Sequence, residues 1–416
     1  MHAALPESVR PRRLLLLAPY PPHPDAPHGG GRVLAHLITG LAERHEVALL
    51  CLRGDADEGI DPRLRELCRI AEELPRAGPR RSPNLRARIG KHVHALAALA
   101  ALRPKWAQYC AVPALAERLR YHLRTFRPEV VQAEYHVMGQ YLAAVDDPRV
   151  RLVLNQYEPG AAAARERWRS HRAGLGIRSG LELLAWERYE RAVARRADAV
   201  VVFTERDRRE MERCAPGRPV VTIPFGTVPP ERPSDPAGQT PPAILFVGSY
   251  AHPPNLDAAL RLARSIFPRV RQSVPDAVLW LVGDGPPEEL RAAAGPGVQV
   301  TGRVPRVEPW LDRAAVVAVP IALGGGMRVK VLEALAAGKP VVASSRAAEG
   351  LDGAPLVLAE SDEETAAALV RLLEDRKARV DLAGRARAWA VAHLGWDRTV
   401  AAYEALYERL LQGEAR

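Results

Sequence analysis

Short apolar runs alternate with stretches of helical period along this 416-residue chain. In the first half the runs fall at residues 14–18, 46–52, 130–133, 152–155 and 199–203. Strands spaced by helices imply a parallel sheet with helices on both faces. Thr204 reads as the N-cap of the helix that follows, and Asp207 three residues on makes a near-capping box. Then the texture changes. Residues 224–242, PFGTVPPERPSDPAGQTPP, hold seven prolines and neither period, as a linker would. The alternation restarts at 243–248 and continues at 278–282, 298–301, 316–320 and 341–344, with a helix near 362–374. The last stretch, 396–411, is amphipathic, with Tyr403, Leu406, Tyr407 and Leu410 at helical spacing. The pattern predicts an α/β protein with an N-terminal domain at 1–228, a linker at 229–242 and a second domain at 243–395.

The densest chemistry lies at 324–344, GGGMRVKVLEALAAGKPVVAS. Gly324, Gly325 and Gly326 directly precede a helical pattern that carries Arg328, Lys330 and Glu333 and stops at Gly338. Glycines let backbone N–H groups turn toward a ligand. A helix N-terminus already favours anions, because its first N–H groups have no intrahelical partner. Lys330 and Glu333 are three apart and share a face; Val329, Leu332 and Ala336 face elsewhere and are expected to pack on a sheet. One reading is a site for an acidic diphosphate and a diol. The other is a glycine loop and an amphipathic helix with a Lys–Glu surface pair.

Composition is ordinary for a globular protein, at 47% hydrophobic and 26% charged residues. No apolar run reaches the ~18 residues of a membrane span. The leucines at 14–17 are too few for a signal peptide and run into Pro-Pro. Cys51, Cys68, Cys110 and Cys214 show no paired spacing, which suits reduced thiols in a cytoplasm. The net charge is +10, and between Arg76 and Lys105 there are eight Lys or Arg and no acid. That stretch reads either as contact with an anionic membrane or as a solvated helix packed by its Ala/Leu face. No helix-turn-helix, zinc-finger or RNA-binding signature occurs, so nucleic acid is not expected. The histidines lack metal-ligand spacing and no nucleophile elbow is present, so no metal is expected.

Other strand-end loops offer weaker candidates. The loop PYPPHPDAPHGGG places Gly30 and Gly31 before a helix; it is not G-x-G-x-x-G, so no dinucleotide cofactor is indicated. In GSYAHPPNLDAALRLA, Asn255 is a plausible N-cap. Glu134 and His136 stand just beyond a strand, where a histidine serves either structure or chemistry, and Glu158 is similarly placed. Trp186, Glu187 and Glu190 read as packing and surface charge.

The segment at 324–344 resembles the donor-binding signature of the retaining, nucleotide-sugar-dependent glycosyltransferases of the GT-B fold, in the branch that makes exopolysaccharides and lipid-linked sugars. The resemblance spans nearly the whole chain and is most specific from Ala243 to Asp352. It implies two Rossmann-like domains facing a cleft, with residues 396–416 crossing back onto the first. Glu333 matches the second of two family glutamates, which holds the donor ribose, while Gly325 stands where the family has the first. Gly30 and Gly31 match the loop over the donor diphosphate. Ser249 and Pro254 occupy positions where relatives carry cations, which turns attention to Arg328 and Lys330. Asp284 and Arg303 fall in loops that match those around the base, and Glu134 and His136 match a strand end that approaches sugar or acceptor. The implied partners are a nucleoside-diphosphate sugar and a glycan, lipid-linked or small-molecule acceptor, without metal or cofactor. The implied location is cytoplasmic, with peripheral contact at the inner membrane face through 76–105. A phosphorylase or epimerase on the same fold, or a non-catalytic subunit suggested by Gly325, are the rival readings.

Overall fold

The computed structural model describes residues 10–26, 29–55, 57–76, 103–170, 176–235 and 237–413. Residues 77–102, the bulk of the basic stretch, lie outside the described residues. The chain divides into two compact units, Met1–Ile223 with Val400–Arg416, and Pro224–Thr399.

The first unit holds strands β1 (Arg13–Ala18), β2 (Glu46–Arg53), β3 (Ile70–Pro75), β4 (Val130–Glu134), β5 (Arg151–Asn155), β6 (Ala199–Val202) and β7 (Val220–Thr222). They form one sheet in the order β3-β2-β1-β4-β5-β6-β7. Every neighbouring pair is parallel. Parallel neighbours need crossovers, which the helices supply. The unbroken Leu14–Leu17 run makes a central strand buried on both faces. The chain winds outward from β1 through β2 to β3, then returns to the other side of β1 as β4. The loops after β1 and β4 therefore part, leaving a crevice at the carboxyl ends of the strands where such sheets bind ligands. The helix Trp396–Gln412 joins this unit from Val400 onward. Its Tyr403, Leu406, Tyr407 and Leu410 stripe is buried, and Arg12 grips Glu408 through Nε and Nη2 at 2.8 and 2.7 Å.

The second unit holds β8 (Ala243–Val247), β9 (Val278–Val282), β10 (Val298–Gly302), β11 (Val316–Val319), β12 (Val341–Ala343) and β13 (Val357–Leu358). The order is β10-β9-β8-β11-β12-β13, again parallel throughout. Its switch point lies between β8 and β11. The proline-rich segment is not a free linker: it is built into this unit. Ser234 N–H donates to Ala337 O and Gln239 N–H to Arg313 O, both at 2.8 Å. Lys339, fully buried, donates from Nζ to the carbonyls of Asp235, Asp312 and Ala314.

Thr204 caps the helix Glu205–Cys214 as expected, its hydroxyl accepting from Asp207 N–H at 3.1 Å. Three strands escaped the hydrophobic pattern: β3, β7 and β13. All three are sheet edges, and an edge strand is half solvated, so it shows no continuous apolar run.

Candidate functional site

In the second unit the loops after β8 and β11 converge at the switch point. The helix Val329–Ala336 has Arg328 at its N-cap position. Gly324 (φ +86°) and Gly326 (φ +75°) lie in the left-handed region just before it, a backbone that only glycine adopts without cost. Val331 and Leu332 pack inward, whereas Val329, expected to do so, is half-buried. Lys330, on the first turn, donates from Nζ to Asn255 Oδ1 at 2.7 Å. The same ammonium stands 4.3 Å over the Phe246 ring, a cation–π contact that fixes the side chain. Asn255 Nδ2 in turn donates to Ser249 O at 2.8 Å. Asn255 is thus not the N-cap; His252 is, on the helix Pro253–Arg261. A Cβ on Gly248 would come within 2.9 Å of both Lys330 Nζ and Asn255 Cγ, so the close approach of these loops needs glycine there.

The neighbouring loops interlock through backbone. Gly248 N–H donates to Val282 O at 3.0 Å, Tyr250 N–H to Asp284 O at 2.9 Å, and Gly283 N–H to Gly302 O at 3.1 Å. Asp284 and Arg303 sit exposed on that rim. Arg328 is buried and donates from Nη2 to Leu323 O at 3.1 Å. Glu333 is half-buried on the same helix.

Two residues that sequence reasoning passed over join this group. Burial, with Arg328 and Lys330 nearby, pulls the His252 imidazole down to about 4. Arg346 donates from Nη1 to Gly324 O at 3.2 Å and so braces the glycine loop. Nothing in the spacing of either residue marks it; only the fold brings them in. The arrangement is a cluster of cations and N–H donors at the carboxyl ends of the central strands, suited to an anion.

In the first unit Gly29, Gly30 and Gly31 do not precede the helix Gly29–Ala42; they are its first turn. A Cβ on Gly30 would run into the hydroxyls of Tyr135 and Tyr20. Tyr135, just after β4, has φ 66° and ψ 147°, a conformation rare for any residue but glycine. Its ring stacks on Tyr157 at 3.9 Å and meets Tyr20 and Trp106 edge-on at 5.5 and 5.6 Å. The loops after β1, β4 and β5 and the helix Lys105–Tyr109 therefore meet around one aromatic cluster.

Glu134 is the last residue of β4, not beyond it, and is 0% exposed. It accepts from Gln132 Nε2 at 2.6 Å and Asn155 Nδ2 at 2.8 Å. Burial pushes its carboxyl up to about 7 against those hydrogen bonds. His136 is buried between Trp106 and Trp186, edge-on to both. Gln156 Nε2 donates to Glu190 at 2.8 Å, so its Oε1 faces His136. That oxygen accepts from the His136 N–H at 3.1 Å and from Nδ1 at 2.9 Å. Nδ1 therefore carries the ring proton, and Nε2 is buried, with the Glu158 backbone beside the ring. Burial lowers this imidazole to about 4. Glu190 is not surface charge: it is 1% exposed and accepts the N–H groups of Gly160 and Ala161 at the start of the helix Gly160–Ser170. Its carboxyl is likewise raised by burial to about 7.

Two parallel-sheet Rossmann-like units, each with a switch point, make up the α/β architecture of the GT-B fold. Comparison of the sequence with protein families then points to the kind of protein. Residues 28–226 match a family described as "Glycosyl transferase 4-like domain", and residues 241–375 match "Glycosyl transferases group 1". Both matches are to glycosyltransferase domains, and together they support a glycosyltransferase of the GT-B fold. Among solved structures it is similar to sucrose-phosphate synthase from Thermosynechococcus elongatus, with a TM-score of 0.71 and 17% identity over 97% of this chain and 100% of that one. It is also similar to Anabaena HepE in complex with UDP and glucose, at TM-score 0.65 and 14% identity over 95% and 99% of the two chains. WaaG, a glycosyltransferase involved in lipopolysaccharide biosynthesis, gives TM-score 0.65 and 15% identity over 94% and 99%. A search of curated proteins finds no match.

Proposed function

We propose that this chain moves a sugar from a nucleoside-diphosphate sugar to an acceptor hydroxyl with retention of anomeric configuration. The observation that carries this reading is the convergence of Lys330, Asn255, Arg328 and His252 on the glycine loop of the second unit. Arg328, Lys330 and the first N–H groups of Val329–Ala336 face the diphosphate. Glu333 accepts from the ribose hydroxyls, and Asp284 and Arg303 line the rim near the base. The first unit takes the acceptor at the crevice marked by Gly30, Gly31 and His136, and the acceptor is a glycan, a lipid-linked sugar or a small molecule.

As the bond from the anomeric carbon to the diphosphate breaks, negative charge grows on the leaving oxygen. Fixed cations and N–H donors oppose that charge without reorganising. The acceptor hydroxyl attacks on the same face, and its proton passes to the leaving phosphate oxygen, so no strong base and no metal is required. His136 keeps its Nδ1 proton on Gln156 and is buried beside the first unit's crevice, where it shapes the acceptor side.

A panel of nucleotide sugars in a thermal-shift assay identifies the donor, and NMR of the product identifies the anomer. An α-donor should give an α-product; an inverted product overturns retention. Gly325 favours a second reading, a non-catalytic subunit that binds nucleotide sugar without transfer. Nucleotide binding with neither transfer nor donor hydrolysis, across a panel of acceptors, would establish it instead.

A further inference from the structure

Glu134 hangs from two symmetrical arms. On one, Tyr407 Oη donates to Gln132 Oε1 at 2.7 Å, and Gln132 Nε2 donates to Glu134 Oε1 at 2.6 Å. On the other, Tyr403 Oη donates to Asn155 Oδ1 at 2.9 Å, and Asn155 Nδ2 donates to Glu134 Oε2 at 2.8 Å. All five side chains are essentially without exposure. Both tyrosines stand on the C-terminal helix, hundreds of residues from β4 in sequence. An amide can present either its oxygen or its N–H to a neighbour, and the two hydroxyls decide which. By taking the carbonyl oxygens, they point both N–H groups at the carboxylate.

The same Asn155 also holds the next residue, its backbone carbonyl accepting from Tyr135 N–H at 2.8 Å. Tyr135 carries the φ 66° backbone, and such a conformation persists only where its surroundings over-determine it. His136 follows directly, its N–H held by Gln156. We propose that Tyr403 and Tyr407 are positioning residues of the transferase: they hold the turn 134–136, and the C-terminal helix is thereby part of the acceptor-side machinery. This rests on the acceptor being taken by the first unit, as proposed above.

The test uses the full chain with Tyr403→Phe, Tyr407→Phe and the double variant, which keep the rings and their packing. The exposed Tyr121→Phe serves as control. Each hydroxyl removed leaves a buried carbonyl oxygen unpartnered, so kcat/KM for the acceptor should fall about tenfold or more in the double variant. Nucleotide affinity should hold, because the second unit binds the nucleotide. Trp106 and Trp186 flank His136, so their fluorescence should change in the double variant and not in the control. A double variant with lowered Tm but wild-type acceptor kinetics and fluorescence reduces the tyrosines to structure and overturns the proposal. If the wild type itself transfers to no acceptor, the functional reading fails on its own. The fluorescence then decides whether the tyrosines set the turn: a change sustains that role, and no change ends it.

Discussion

Lys330 and Asn255 are joined at 2.7 Å across 75 residues of sequence, and this one bond ties the loop after β8 to the helix after β11. The ammonium is thereby aimed over the switch point before any ligand arrives. Lys330→Ala should raise the Kd for a nucleoside diphosphate roughly tenfold or more, the scale of a charge-assisted hydrogen bond. Affinity for the bare nucleoside should change much less. Isothermal titration with both ligands separates the cases, and equal weakening of the two would place Lys330 away from the phosphates.

Glu333 shares the helix with Lys330 and remains half-buried on it. If it accepts from the donor ribose, Glu333→Gln should lower kcat/KM for the donor by about tenfold with little change in Tm. A 2′-deoxyribose donor should then discriminate little between variant and wild type. Unchanged donor kinetics would leave Glu333 a surface partner only.

His252 gives a pH dependence with a defined sign. Its folded imidazole is depressed from 6.5 to about 4 by burial and by the neighbouring Arg328 and Lys330. Between those values the unfolded chain binds the proton and the folded chain does not, so His252 costs stability as pH falls through that window. A bound diphosphate beside it should raise the imidazole again, so ligand binding takes up a proton there. Affinity for a nucleotide sugar, whose diphosphate does not titrate in that range, should therefore rise as pH falls toward about 4. His252→Gln should flatten that rise. A wild-type affinity that is flat or falling over the window would show that His252 does not meet the phosphates.

The parts of this fold that were legible in the sequence are those where one rule decides. Leu14–Leu17 and Val316–Val319 are buried on both faces, and a buried parallel strand must read as an apolar block. The glycine loop before Arg328 was legible because the left-handed backbone of Gly324 and Gly326 is a local requirement. What failed were the contacts made over long distances in the chain. Asn255 looked like an N-cap because that role needs only near neighbours; its actual partner, Lys330, comes from another βα unit. Glu190 lies in a helix of mixed charge and looked solvated, yet a glycine-led helix start 30 residues earlier draws its carboxylate inside. No period in the sequence marks Gln132, Asn155, Tyr403 and Tyr407 as one network.

Lys339 tests the opposite end of the second sheet. It precedes β12, away from the carboxyl ends where the candidate site lies, and burial lowers its ammonium to about 8. Lys339→Met would strand up to three carbonyl oxygens at roughly 1–3 kcal/mol apiece before relaxation. A Tm loss of several degrees is expected, with nucleotide affinity per folded molecule unchanged. A variant as stable as wild type would mean that water or neighbouring N–H groups serve those carbonyls equally well.

The stretch 76–105 makes a prediction from charge alone. It carries eight cations and no acid, alongside an Ala/Leu-rich segment, the mixture from which interfacial helices are built. Arg76, at its start, is engaged within the first unit, 3.7 Å from Asp57; the other cations are counted for a surface. Each Lys or Arg near an anionic leaflet contributes about 1 kcal/mol, so several acting together could hold the chain there without a spanning helix. Among the described residues no helix is long and apolar enough to cross. The chain should therefore sediment with vesicles rich in anionic lipid at low salt, and release as ionic strength rises past the point where the Debye length falls to about 10 Å. Neutral vesicles should not retain it. Reversal of Arg80, Arg81, Arg86 and Arg88 to Glu should abolish sedimentation while leaving nucleotide affinity intact. If the wild type stays in the supernatant with anionic vesicles at low salt, the stretch is a solvated basic segment and a soluble acceptor becomes the better assignment.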